Sequence, residues 1–176
     1  YEEKNDIWVT TWNKLYNLSF LREFHIHFLE HVYHEDIVMH AMLALNTRSF
    51  TLTNRTTYLY NCKREDSITN MEQGYTLKHL NDLTIVFSEI RRLIQADNNL
   101  SKHLQKEINL YYLFEIYHRY LPAMYSNIKK VDLIKGLARL SQNCLPPILE
   151  TRLTFKSIKR FLFLKLPFSI QYLIKS

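Results

Sequence analysis

Apolar residues recur at three- and four-residue spacing over most of this chain, and that period constrains its fold more than any other feature. Leu80, Leu83, Phe87, Ile90 and Ile94 follow one another at steps of 3, 4, 3 and 4, with charges on the opposite face. Such spacing puts all five side chains on one stripe of an α-helix, which must be buried against other elements. Thr76 suits the start of that helix, because its hydroxyl can accept from an unpaired N–H of the first turn. With 2 Gly and 4 Pro among 176 residues, the chain lacks the turn residues of a strand-dense fold and the glycine loops that cradle phosphates. The expected class is all-α, an irregular helical bundle.

Other segments extend the pattern. Residues 13–45 carry Leu15, Leu18, Leu21, Phe24, Phe28, Val32 and Tyr33 near helical spacing, which predicts two helices with a break near residues 33–36. Residues 50–60 are rich in Thr and Tyr and predict a short strand or an irregular loop, while the polar residues 63–74 predict a surface connection. Asp97, Asn98 and Asn99 separate the Leu80–Ile94 stripe from a helix predicted over 100–120, closed by Pro122. Between Ile108 and Tyr117 that helix is apolar almost all round, so Ile108, Tyr112, Ile116 and Phe114 are expected in the core. The aromatic run Tyr111, Tyr112, Phe114, Tyr117, Tyr120 and Tyr125 is likewise read as core packing rather than as a stacking platform for bases. Asn127 should cap a helix over 128–141. Cys144-Leu145-Pro146-Pro147 is the sharpest break, since a residue before proline is pushed out of the α region. Pro147 then predicts a helix running to Leu164, and Pro167 a last short one. The domains expected are a helical body over 1–143 and a short C-terminal helical module over 144–176.

Composition narrows the function classes. At 47% hydrophobic and 14% aromatic the chain can bury a core, which excludes a disordered segment. The most apolar stretch, residues 161–174, is cut by Lys165 and Pro167 and falls short of the roughly 20 residues of a spanning helix, so no membrane partner is expected. The net charge of +6 is uneven: residues 128–176 hold ten Lys and Arg against Asp132 and Glu150, a net of +8, leaving −2 for the rest. Lys156, Lys159, Arg160 and Lys165 stand singly between apolar residues, which fits a solvated helix face or an acidic protein partner. Nucleic acid would call for a dense basic stripe with exposed stacking rings, and none is expected to bind. Cys62 and Cys144 are too few for a disulfide framework and point to reduced thiols in a cytoplasmic setting. The opening residues offer no basic and apolar leader pattern, and a start at Tyr1 leads us to expect a fragment or a processed chain with no signal peptide.

Two constellations carry candidate chemistry. His25, His27, His31, His34 and His40 crowd into one stretch, and His27 to His31 spell H-x-x-E-H. On a helix, His27 and His31 would stand one turn apart as zinc ligands, with Glu30 as a base and Glu107 as a distant third ligand. The pattern resembles the inverted zinc motif of the pitrilysin and insulysin peptidases. In that family it lies deep in a glycine-rich α/β domain, whereas here helical sequence flanks it, so no bound metal, no cofactor and no catalysis is the expectation.

The second constellation is C-terminal. Leu153, Ser157 and Phe161 lie four residues apart, a spacing that would align an apolar anchor, a small residue and a second anchor on one helical stripe. Leu166-Pro167 follow, then Ile170 and Tyr172-Leu173. Together these residues resemble the SOCS box that closes ankyrin-repeat and SOCS-box proteins, with Lys165 where the family has its first proline and Ser157 where it has a cysteine. The tail is also similar, through Leu166, Pro167 and Ile170, to the truncated F-box of poxvirus-type ankyrin proteins. The SOCS-box resemblance covers about the last 30 residues and implies a non-catalytic substrate-receptor subunit of a cullin-type ubiquitin ligase. It implies that the first helix binds elongin C, within elongin B/C, and that the Leu-Pro segment binds a cullin, leaving an unknown protein substrate to the body or to an upstream domain. A helical structural or host-interaction protein with no ligase link is the alternative.

Overall fold

The computed structural model describes residues 11–53, 55–56, 59 and 76–175. Among these residues there are seven α-helices and no strand, so the all-α class read from the apolar period is the one adopted. The chain divides into two compact units, Tyr1–Met71 and Glu72–Ser176. The division falls at a different place from the 143/144 boundary read in the sequence; residues 144–175 pack within the second unit. The connection expected over 63–74 lies outside the described residues, and the described part of 50–60 contains no strand.

In the first unit, α1 (Leu18–Glu23) is capped by Asn17, whose side-chain oxygen accepts from the N–H groups of Ser19 and Phe20. It stops after six residues, much shorter than the period of residues 13–45 predicts. The reason is backbone conformation: His25, His31 and His34 all adopt positive φ, at 51°, 61° and 66°. Histidine is among the few side chains that enter the left-handed region with any frequency, and one such residue ends a helix. The chain therefore runs irregularly until His34 leads into α2 (Glu35–Asn46), which buries Ile37, Val38, Met39, Ala41 and Met42.

The second unit begins with α3 (Leu77–Ala96). Thr76 caps it as expected, and His79 completes a capping box: the Thr76 hydroxyl accepts from the His79 N–H, and His79 Nδ1 accepts from the Thr76 N–H at 3.3 Å. All five stripe residues are buried, and Val86 and a buried Asp82, paired with Lys78, widen the hidden face. α4 (Lys102–Met124) starts at an Ser101 cap and runs past Pro122 to Met124. Proline in the last turn forfeits a single backbone bond, so it does not end the helix where the sequence suggested. α5 (Lys130–Asn143) begins at Lys129 rather than at Asn127, with no side-chain cap. It packs on α3 through Gly136, where a Cβ would lie 2.4 Å from Leu80 Cδ2. Only the missing side chain lets the two helices approach this closely, and Leu80, fully buried, has little room to turn away.

From Pro147 the expected helix does not form. A short 3-10 turn (Ile148–Glu150) is followed by extended residues, then by α6 (Phe155–Lys165) and α7 (Phe168–Lys175). Thr154 and Ser157 form a second capping box that fixes the start of α6 eight residues after Pro147.

Two outcomes are expected. Gly136→Ala should lower the thermal midpoint, because an over-packing cost towards the upper end of about 1–3 kcal/mol outweighs the roughly 1 kcal/mol gained in helix propensity. The loss should shrink in a Leu80→Ala background, and purely additive effects would refute the close approach. Burial lowers the pKa of His79, with Asp82 opposing and Lys78 adding to the effect. The neutral ring is thus favoured in the fold, so its contribution is complete above the unfolded value near 6.5 and is lost as pH falls from there through the lowered folded value. Thermal melts from pH 7 to 5 should show this loss, and His79→Gln, which keeps the acceptor, should flatten it.

Candidate docking surface

The C-terminal segment is tied to α3 and then to α4 by a series of polar contacts that begin where α5 ends. The Arg91 guanidinium donates to the Asn143 carbonyl at 3.0 Å. Cys144 is buried, its thiol donating to the Thr84 carbonyl at 3.4 Å, and burial pushes its pKa up, which disfavours a thiolate nucleophile. Asn109, buried on α4, donates through Nδ2 to the Glu150 carbonyl at 2.8 Å. Arg152 donates its N–H to the Lys106 carbonyl and its guanidinium to Glu107, each at 3.2 Å. Together these bonds satisfy backbone groups of a non-helical stretch that would otherwise be costly to bury.

α6 is then laid on α4 by Ser157, Phe163 and Leu164. Phe163 meets Tyr117 and Tyr120 edge-on at 5.7 and 6.5 Å, and the Arg160 guanidinium lies 4.0 Å from the centre of the Phe114 ring. A buried glutamine secures α7. Gln171, 1% exposed, accepts from the Tyr120 hydroxyl at 2.7 Å and donates to the Phe163 carbonyl at 2.9 Å. Burial pushes the Tyr120 phenol up to about 12, with the Gln171 bond acting the other way.

The residues singled out in the sequence separate in this arrangement. Leu153 precedes the Thr154 cap, so it is outside α6 and is 56% exposed. Ser157 is wholly buried, its Oγ accepting from the Thr154 N–H at 2.7 Å, so it faces the fold and not the exposed side of α6. Phe161 is half-buried beside Lys165. Leu166 is half-buried, while Pro167 and Ile170 are exposed at the start of α7. A single stripe of Leu153, Ser157 and Phe161 is therefore absent. In its place α6 exposes Phe155, Ile158 and Leu162, and α7 exposes Leu173 and Ile174 beside Ile170. The signal for this phase was present in Thr154-x-x-Ser157, a capping pair that sets the first helical residue at 155.

The other candidates fare differently. The H-x-x-E-H residues His27, Glu30 and His31 lie outside any helix, so the one-turn spacing on a common face does not arise. No group of three or more His, Cys, Asp and Glu able to hold a metal occurs among the described residues. Ile116 and Tyr112 are in the core as expected, but Ile108 and Phe114 are half-buried, and Tyr111 and Tyr125 are exposed. No described helix is long and apolar enough to cross a membrane. A shallow cleft of about 370 Å³, including space open to solvent, lies between α3, α4 and the Pro146-Pro147 turn and is lined by Ile90, Arg91 and Tyr112. Its only thiol is the inert Cys144. No family model, no curated protein and no solved structure matches the chain.

If Gln171 holds α7 in place, Gln171→Leu leaves the Tyr120 hydroxyl buried without its partner and takes one of two donors from the Phe163 carbonyl, which keeps the Leu166 N–H, at a cost of about 1–3 kcal/mol. Tyr120→Phe with Gln171→Leu should cost less than the two single changes summed, as a double-mutant melt would read.

Proposed function

We propose that this chain is a non-catalytic adaptor subunit of a cullin-type ubiquitin ligase, docking on elongin C through α6 and on a cullin through the Leu166-Pro167 segment. The observation that carries this reading is the exposed apolar stripe of Phe155, Ile158 and Leu162 on a helix whose opposite face is locked to α4. A helix presented this way has its conformational entropy already spent in folding, which favours docking into a groove. Phe155, at 82% exposure, is the natural anchor. The C-terminal resemblance to SOCS boxes supports elongin C as the partner, with the residues that would meet it shifted by one or two positions from Leu153, Ser157 and Phe161. The alternative, a helical interaction protein with no ligase link, uses the same stripe for a different partner.

The test uses the full chain, since residues 144–175 rely on α4 for support. Purified elongin B/C should be retained by the chain at micromolar concentration. Phe155→Ala with Ile158→Ala should remove the interaction, an anchor loss of more than about 2 kcal/mol or roughly thirtyfold in affinity. Both positions are exposed, so the thermal midpoint should hardly change. Altering Pro167 should spare elongin binding and weaken the cullin. No retention of elongin B/C by the unaltered chain rejects the ligase reading.

A further inference from the structure

We propose that the α6 stripe is recognised by a protein groove whose floor is apolar and whose rim is acidic; the inference rests on the adaptor reading and specifies the chemistry of the partner. Residues 151–176 contain Arg152, Lys156, Lys159, Arg160, Lys165 and Lys175 and not one Asp or Glu. The fold then sorts these cations. Arg152 is engaged with Glu107, and Arg160 is drawn over the Phe114 and Tyr117 rings. Lys156, Lys159 and Lys165 are exposed, Lys165 with its ammonium 5.8 Å from the centre of the Phe161 ring, and the helical period puts Lys159 and Lys165 one on each side of Phe155, Ile158 and Leu162. An apolar strip edged on both sides by lysine is the complement of an apolar groove edged by carboxylates.

The other occupants fit less well. A second copy of the chain would bring the same lysines against these, and like charges at a rim oppose association. A lipid surface takes a broad apolar face, whereas the three stripe residues cover roughly 60° of the helix circumference against the 100° or more of an amphipathic helix that beds into a core or a membrane. The narrow strip suits a groove.

Binding of the full chain to purified elongin B/C, followed by titration calorimetry from about 50 to about 500 mM salt, tests this. Affinity should fall about tenfold over that range, and Lys159→Glu with Lys165→Glu should weaken low-salt binding by about the same factor. Lys130→Glu with Lys135→Glu, an equal charge change on α5, should leave it unaltered. Binding that is flat in salt and indifferent to the α6 reversals overturns the acidic rim while leaving the adaptor reading intact. No binding at low salt overturns both. Retention on phosphatidylserine vesicles that is lost on reversal of Lys159 and Lys165 overturns it in favour of a lipid surface.

Discussion

α4 is the member on which the second unit depends, because it is packed from two sides at once. One side contributes Leu113, Ile116 and Tyr112 to the core shared with α3 and α5. The other receives the 3-10 turn and α6. Between Ile108 and Tyr117 this helix carries apolar residues on most of its circumference, and burying that stretch on two sides, with Tyr111 left exposed, lowers its free energy. The long connection after α5 follows from this. The chain must return along α4, and it does so as a turn, an extended stretch and two short helices.

Apolar burial alone would leave that return path loosely specified, since hydrophobic contacts have little directionality. The polar contacts fix it. Asn109 grips the Glu150 carbonyl, the Thr154–Ser157 box fixes where α6 begins, and Gln171 joins Tyr120 to the last turn of α6. Asn109, Ser157 and Gln171 are each buried with a partner at hydrogen-bonding distance, so a shifted register would strand several of them at once. The exposed stripe of Phe155, Ile158 and Leu162 is a consequence: once Ser157, Phe163 and Leu164 face α4, those three residues have no place inside.

The same logic explains the irregular region of the first unit. Residues 13–45 have the apolar spacing of helices, yet three histidines in left-handed conformations interrupt them. Spacing reports which face would be buried if a helix formed. It does not report whether the backbone of a given residue leaves the helical region, and this also removes the His27–His31 pair from the geometry a zinc site requires.

What the sequence determined by itself is the set of elements governed by local energetics. The α3 stripe, its Thr76 cap, the break at Pro146-Pro147 and the all-helical class all follow from period, capping chemistry and proline sterics, which act over a few residues. Tertiary structure alone decided the burial of Asn109, Cys144 and Gln171, and the exposure of Tyr111 and Tyr125. Those outcomes depend on partners 40 to 60 positions away in the chain, such as Glu150 for Asn109, Gln171 for Tyr120 and Thr84 for Cys144. A residue's own neighbours in sequence carry no record of such partners, because the energy that selects them is gained only when the distant segments meet.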